Sequence, residues 1–149
     1  MKKVPAHLQP ALWSQILIYG LVPGIILGLM FKTVEFYQFT RVYTLLLNVD
    51  FIPGFQKDLP EWFEFSLHLA VSLGLGAAFA VLLRRYSRPW LPGLLLGLVP
   101  VPLFVPLTLL SARTPELSDG AALVWWVAGH LIYGLLLGLL GRIMSGPRK

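Results

Sequence analysis

Four apolar stretches, each about 20 residues long and nearly free of charge, divide this chain, and that length suits a helix crossing roughly 30 Å of hydrocarbon. They run near Leu12 to Phe31, Trp62 to Leu83, Trp90 to Leu110 and Ala121 to Met144. The charges between them are sorted by sign. All seven acidic residues lie in or beside two connections: Glu35, Asp50, Asp58, Glu61 and Glu64 around the first, Glu116 and Asp119 in the third. Of the 12 basic residues, Lys2, Lys3, Arg84, Arg85, Arg88, Arg142, Arg148 and Lys149 lie at the opposite ends of the stretches. A Lys/Arg excess in short loops marks the cytoplasmic side, so both termini are expected in the cytoplasm. Trp13, Trp62, Trp90, Trp125 and Trp126 lie at or near span ends, where amphipathic rings prefer the headgroup level. The expected fold is all-α: a four-helix transmembrane bundle, one integral domain over residues 1–149.

The four spans and the first and third connections consume nearly the whole chain of 149 residues, 56% of it hydrophobic, and leave no soluble catalytic domain. Met1-Lys2-Lys3 before an apolar run resembles a secretion signal. The run is too long for one and lacks a small-residue cleavage pattern, so it is expected to stay as the first span. With no cysteine, disulfides, thiol redox chemistry and thiolate metal sites are excluded. The basic pI of 9.8 points to anionic lipid on the cytoplasmic face and not to nucleic acid.

The word Gly20-Leu21-Val22-Pro23 recurs as Gly97-Leu98-Val99-Pro100, and His68, Ser72 and Gly76 are echoed by His130, Gly134 and Gly138. Spans one and two therefore read as a repeat of spans three and four, two parallel two-helix units related by an axis along the membrane normal. Chance also produces such words in a Leu/Gly-rich chain. Gly20, Gly24 and Gly28, with Gly76, Gly134, Gly138 and the nearby Gly141, and with Gly74 offset from the second-span stripe, place small residues along helix faces, where they let backbones approach. Packing within the bundle and a dimerisation face both use such stripes.

The outer connection, residues 32–61, is apolar for a loop. Phe36, Phe39, Tyr43 and Leu46 fall at helical spacing with Glu35, Gln38 and Arg41 between them, which predicts a short helix in the outer interface, and Pro53-Gly54-Phe55 reads as a turn. The run Glu35-Phe36-Tyr37-Gln38-Phe39-Thr40-Arg41-Val42, then Leu45-Leu46-Leu47, together with Gly129-His130-Leu131-Ile132-Tyr133-Gly134, resembles the YqhR-like membrane proteins of spore-forming bacteria. The resemblance implies a four-span protein of a bacterial cell membrane and brings no activity with it.

No Asp, Glu, Lys or Arg lies near the middle of a span, which argues against an ion-coupled pump. Histidine is what remains. His68 is expected roughly 9 Å and His130 roughly 14 Å inside the outer end of their helices, at 1.5 Å per residue. Glu64, one turn before His68, is placed to orient or charge it. Pro100, Pro102 and Pro106 should break the outer half of the third span and free carbonyls that need partners. His68, His130, Glu64, Tyr133, Pro100 and Pro102 are thus the candidate ligand-binding residues of an outer-leaflet cavity. The bland reading makes each histidine an interhelical hydrogen-bond partner, Tyr133 a packing anchor and Glu64 a solvated interface residue. A histidine pair also suits axial haem ligation, but without supporting cysteine or carboxylate no metal or cofactor is assigned. No nucleophile motif surrounds any serine, and no catalytic residue is expected. The function expected is that of a partner or accessory subunit of a larger membrane assembly. The alternative is an outer-leaflet module that binds or transports a lipid or small molecule, and behind it stands a haem-bearing electron-transfer subunit.

Overall fold

The computed structural model describes residues 12–50, 52, 59–86 and 88–145. It is all-α: α1 (Leu12–Phe36), α2 (Val42–Leu47), α3 (Glu61–Leu82), α4 (Trp90–Leu98), a 3₁₀ turn (Val101–Leu103), α5 (Phe104–Leu109) and α6 (Gly120–Ser145). Four segments are long and apolar enough to cross a membrane: α1, α3, the composite of α4 to α5, and α6 to Met144. Both connections that hold the acids lie at one end of the bundle, called here the acid end. The α3–α4 connection with Arg84, Arg85 and Arg88 lies at the other, basic end.

The bundle is two helix pairs, α1 on α3 and α4 on α6, joined along α1 and α6. Glycine sets both pair contacts, because lipid offers no hydrophobic drive and close backbone approach must supply the packing. A Cβ on Gly76 would stand 2.5 Å from the Gly20 nitrogen, and one on Gly97 would stand 2.6 Å from the Gly134 Cα. The two pairs do not share a register. Gly20 meets Leu73 and Gly76, whereas Gly97, its counterpart in the repeated word, meets His130 and Gly134, one helical turn away from the equivalent level; Gly93 takes that level against Gly134 and Gly138.

The third span is broken as its prolines predict. α4 stops at Leu98, the chain passes through the 3₁₀ turn at Pro102, and α5 restarts at Phe104. Pro106 lies in the first turn of α5, where a missing N–H costs no helical bond. The carbonyl freed at Pro100 accepts the Leu103 N–H at 3.1 Å and the Trp126 indole Nε1–H at 3.3 Å.

The short helix of the first connection differs from its expected register. Phe36 ends α1, and the chain then turns through Gln38, whose φ is 59°. Gln38 N–H donates to Glu35 O and Phe39 N–H to Val34 O, the paired bonds of a Schellman cap with glutamine in glycine's usual place. α2 therefore starts only at Val42. It buries Val42, Leu45 and Leu47, while Phe36 and Phe39 stay exposed, and it wedges against α1, α3, α5 and α6. The expected turn at Pro53-Gly54-Phe55 lies outside the described residues.

Candidate functional site

Two polar layers stand out, one among the spans and one at the acid end. The first follows from the glycine contacts. Where α1 has no side chains, its carbonyls are open to α3, and two polar residues one turn apart use them. Ser72 Oγ–H donates to Gly20 O at 2.6 Å, and His68 donates through Nε2 to Gly24 O at 3.1 Å. Tyr133 on α6 closes the layer, its hydroxyl 3.0 Å from Ser72 Oγ. His130, only 3% exposed, donates from Nδ1 to Trp126 O at 2.8 Å on its own helix. Its ring lies 4.3 Å from the Trp126 ring and 6.0 Å from Phe31 on α1.

The candidate residues thus separate into three groups. Pro100, Trp126 and His130 form one chain of contacts across the broken span. Tyr133 and Ser72 form a second, with His68 one turn along α3. Glu64 goes elsewhere: its carboxylate accepts from Arg113 at 3.2 Å. Pro102 is exposed. Both histidine rings touch α1, His68 at Gly24 and His130 at Phe31. Among the described residues, no buried side-chain nitrogen or oxygen lacks a hydrogen-bond partner, and no group of three His, Cys, Asp or Glu is placed to hold a metal ion.

The acid end is a connected cap. Arg113 is its hub: it donates to Asp50 at 2.6 and 3.1 Å as well as to Glu64, and so ties the first connection, α3 and the third connection together. That bonding holds the Asp50 carboxyl below the usual carboxylate range, against a smaller upward push from burial, and raises the Arg113 guanidinium. Ser111 also donates to Asp50, and Asn48 Nδ2 donates to Leu107 O at 3.1 Å, which satisfies the end of α5. Asp119 caps α6: Oδ1 accepts Ala122 N–H at 2.9 Å and Oδ2 the Thr40 hydroxyl at 2.8 Å. The backbone N–H bonds to that carboxylate are the main reason its proton affinity falls. Lys32 pairs with Glu61, which also accepts from Tyr43 at 2.8 Å, and burial followed by that bond pushes the Tyr43 phenol up.

Beside this cap lies an open cavity of about 650 Å³ between the turn after α1 and the α5–α6 connection. Sequence reasoning placed the candidate cavity among the histidines and missed this one. The available signal was the polar set Glu35, Gln38 and Arg41 in the first connection and Glu116 and Asp119 in the third.

The chain matches no protein-family model, no curated protein and no solved structure.

Proposed function

We propose that the chain is a non-catalytic subunit of a bacterial cell-membrane assembly, with both termini cytoplasmic, and that a transmembrane helix of its partner packs along the free face of α3. The observation that carries this reading is a second small-residue face on that helix. One face, with Ser72 and Gly76, is consumed against α1. Ser66, Ala70, Gly74 and Ala78 repeat at four-residue spacing on another; the first three are exposed, and a Cβ at Gly74 would meet nothing within 4 Å. Polar groups within the spans are engaged by neighbouring helices or by their own backbone, which favours surface recognition over an internal binding site. The resemblance to the YqhR-like proteins belongs to the same proposal.

Aromatic rings support the membrane placement. Trp13 at the start of α1 and Tyr37 just past its end, and Trp62 at the start of α3 and Tyr86 four residues past its end, are exposed rings at both ends of those spans. At 1.5 Å per residue the 25 residues of α1 and 22 of α3 give about 37 and 33 Å, a hydrocarbon core with its interfacial margins. Arg84, Arg85, Arg88 and Arg142 are exposed at the basic end, where anionic cytoplasmic lipid would meet them. A reporter active only outside the cytoplasm should be silent when joined after Lys149 and active when inserted near Asp58.

The test of function uses the absence of cysteine. Gly74→Cys gives one thiol per chain, and oxidative or bifunctional crosslinking in native membranes should join it to one heterologous membrane protein. Gly74→Leu should abolish co-purification of that protein without lowering the thermal midpoint of the isolated chain. Recovery of both variants as uncrosslinked single chains that retain one lipid species would support the ligand-binding alternative instead.

A further inference from the structure

The cavity at the acid end has two walls. Glu35, Gln38 and Arg41 come from the turn after α1, and Glu116, Ser118 and Asp119 from the α5–α6 connection. Two of the three acids are already committed. Glu35 accepts the Thr44 backbone N–H at 2.8 Å on Oε2 and its hydroxyl at 2.6 Å on Oε1. Asp119 spends one oxygen on Thr40 and the other on Ala122. Open capacity therefore sits on Arg41, Gln38 and Glu116. Among the described residues, Arg41 uses one of the five donors of a guanidinium, on Arg113 O at 3.2 Å. Glu116 receives the Ser118 hydroxyl at 3.3 Å on Oε2 and keeps Oε1 for another donor.

Arg41 and Glu116 line the same cavity from opposite walls without neutralising each other. The ion pairs among the described residues join Lys32 to Glu61 and Arg113 to Asp50 and Glu64. A cavity with an unspent cation on one wall and an unspent anion on the other matches a ligand carrying both charges. Its surroundings add an apolar requirement. Phe36, Tyr37 and Phe39, beside the Gln38 turn and at the end of a span, are 78%, 65% and 66% exposed. The volume lies within the range of small-molecule sites.

We propose that this cavity binds a zwitterion with an anionic oxygen group and an N–H-bearing ammonium, as in an ethanolamine phospholipid headgroup. Arg41 and Gln38 donate to the phosphate, and Glu116 accepts from the ammonium. Arginine suits the first role because its planar fork meets two phosphate oxygens at once. Phe36 and Phe39 lie against the glycerol and upper acyl region. This site is independent of the α3 face and stands or falls separately from the partner reading.

The full chain is reconstituted in nanodiscs that mix phosphatidylethanolamine, phosphatidylcholine and phosphatidylglycerol, released, and measured for retained lipid by native mass spectrometry. Phosphatidylethanolamine should be retained preferentially. Arg41→Gln, which removes a contact to the phosphate common to the three lipids, should reduce retention of all of them by about tenfold, and Glu116→Gln should reduce the phosphatidylethanolamine preference by a similar factor, the loss expected for one charge-assisted hydrogen bond. Arg41→Glu combined with Glu116→Arg should recover part of it, since the ligand can reverse. Soluble phosphoethanolamine is the second arm. Displacement of the lipid by it places the recognition in the headgroup, and its binding without any lipid preference assigns the same chemistry to a free zwitterion. Equal retention of the three lipids with no phosphoethanolamine binding, or single variants that bind as the native chain does, would overturn the proposal. Thermal midpoints of the variants, expected to be unchanged, separate lost binding from lost folding.

Discussion

Gln38 sits in the left-handed region, which costs a residue with a Cβ roughly 1–2 kcal/mol and glycine almost nothing. Gln38→Gly should therefore raise stability by about 1 kcal/mol in a detergent or bicelle unfolding assay, with the Schellman cap intact. A fall would mean that the glutamine side chain holds the turn. The glycines give a sharper contrast. Gly76→Ala puts a methyl group 2.5 Å from the Gly20 backbone and should cost about 1–3 kcal/mol by overpacking. Gly74→Ala, two residues earlier, meets open space and should leave stability unchanged or raise it by up to about 1 kcal/mol, the cost of glycine inside a helix. Spacing already sets Gly74 off the stripe of His68, Ser72 and Gly76. Which of the two faces meets a neighbour depends on how α3 is turned towards α1, and spacing does not show that.

The break between α4 and α5 was legible because proline acts locally: it lacks an N–H and clashes with the carbonyl four residues earlier. What fills the resulting gap was not legible, since the Trp126 indole comes from a helix 26 positions away. Trp126→Phe keeps the ring and removes the donor. With Pro100 O left to one bond, unfolding stability should fall by about 1–3 kcal/mol. His130 packs at a tilt against the same ring, so its imidazole resonances should shift in the variant; an unchanged midpoint would show that the 3.3 Å contact contributes little. α2 illustrates the opposite case. Its helical spacing is real in the sequence, but the Gln38 turn interrupts the run and moves the buried set from Phe36, Phe39, Tyr43 and Leu46 to Val42, Leu45 and Leu47.

For the molecule as a whole, spans and charge separation could be read from composition, because bilayer thickness imposes a length and charge avoids hydrocarbon. The candidate site could not: the histidines were conspicuous by chemistry alone, whereas the cap depends on pairs such as Arg113 with Asp50, 63 positions apart. The cap predicts an acid response. Asp50 and Asp119 bind protons less readily when folded than when unfolded, so their contribution is fully present above about pH 4 and is lost as pH falls through the depressed native values. Amide protection factors at 37–50 and 110–119, taken against the intrinsic rate at each pH, should fall on acidification from pH 6 to 3 while those at the centres of α1, α3 and α6 stay high. Simultaneous loss of protection everywhere would show that the cap and spans unfold as one unit.

The pairing of α1 with α3 and of α4 with α6 also orders the birth of the protein. Each glycine contact that joins α1 to α3 is available once residue 82 has left the ribosome, before any part of α4 enters the membrane. The first hairpin can therefore close during synthesis, and the second can follow by the same route. Latching comes last: Thr40 waits for Asp119, and Asp50 and Glu64 wait for Arg113. Until those bonds form, a nascent chain exposes two unpaired carboxylates at the acid end, a transient form that a membrane chaperone or protease could distinguish from the finished protein.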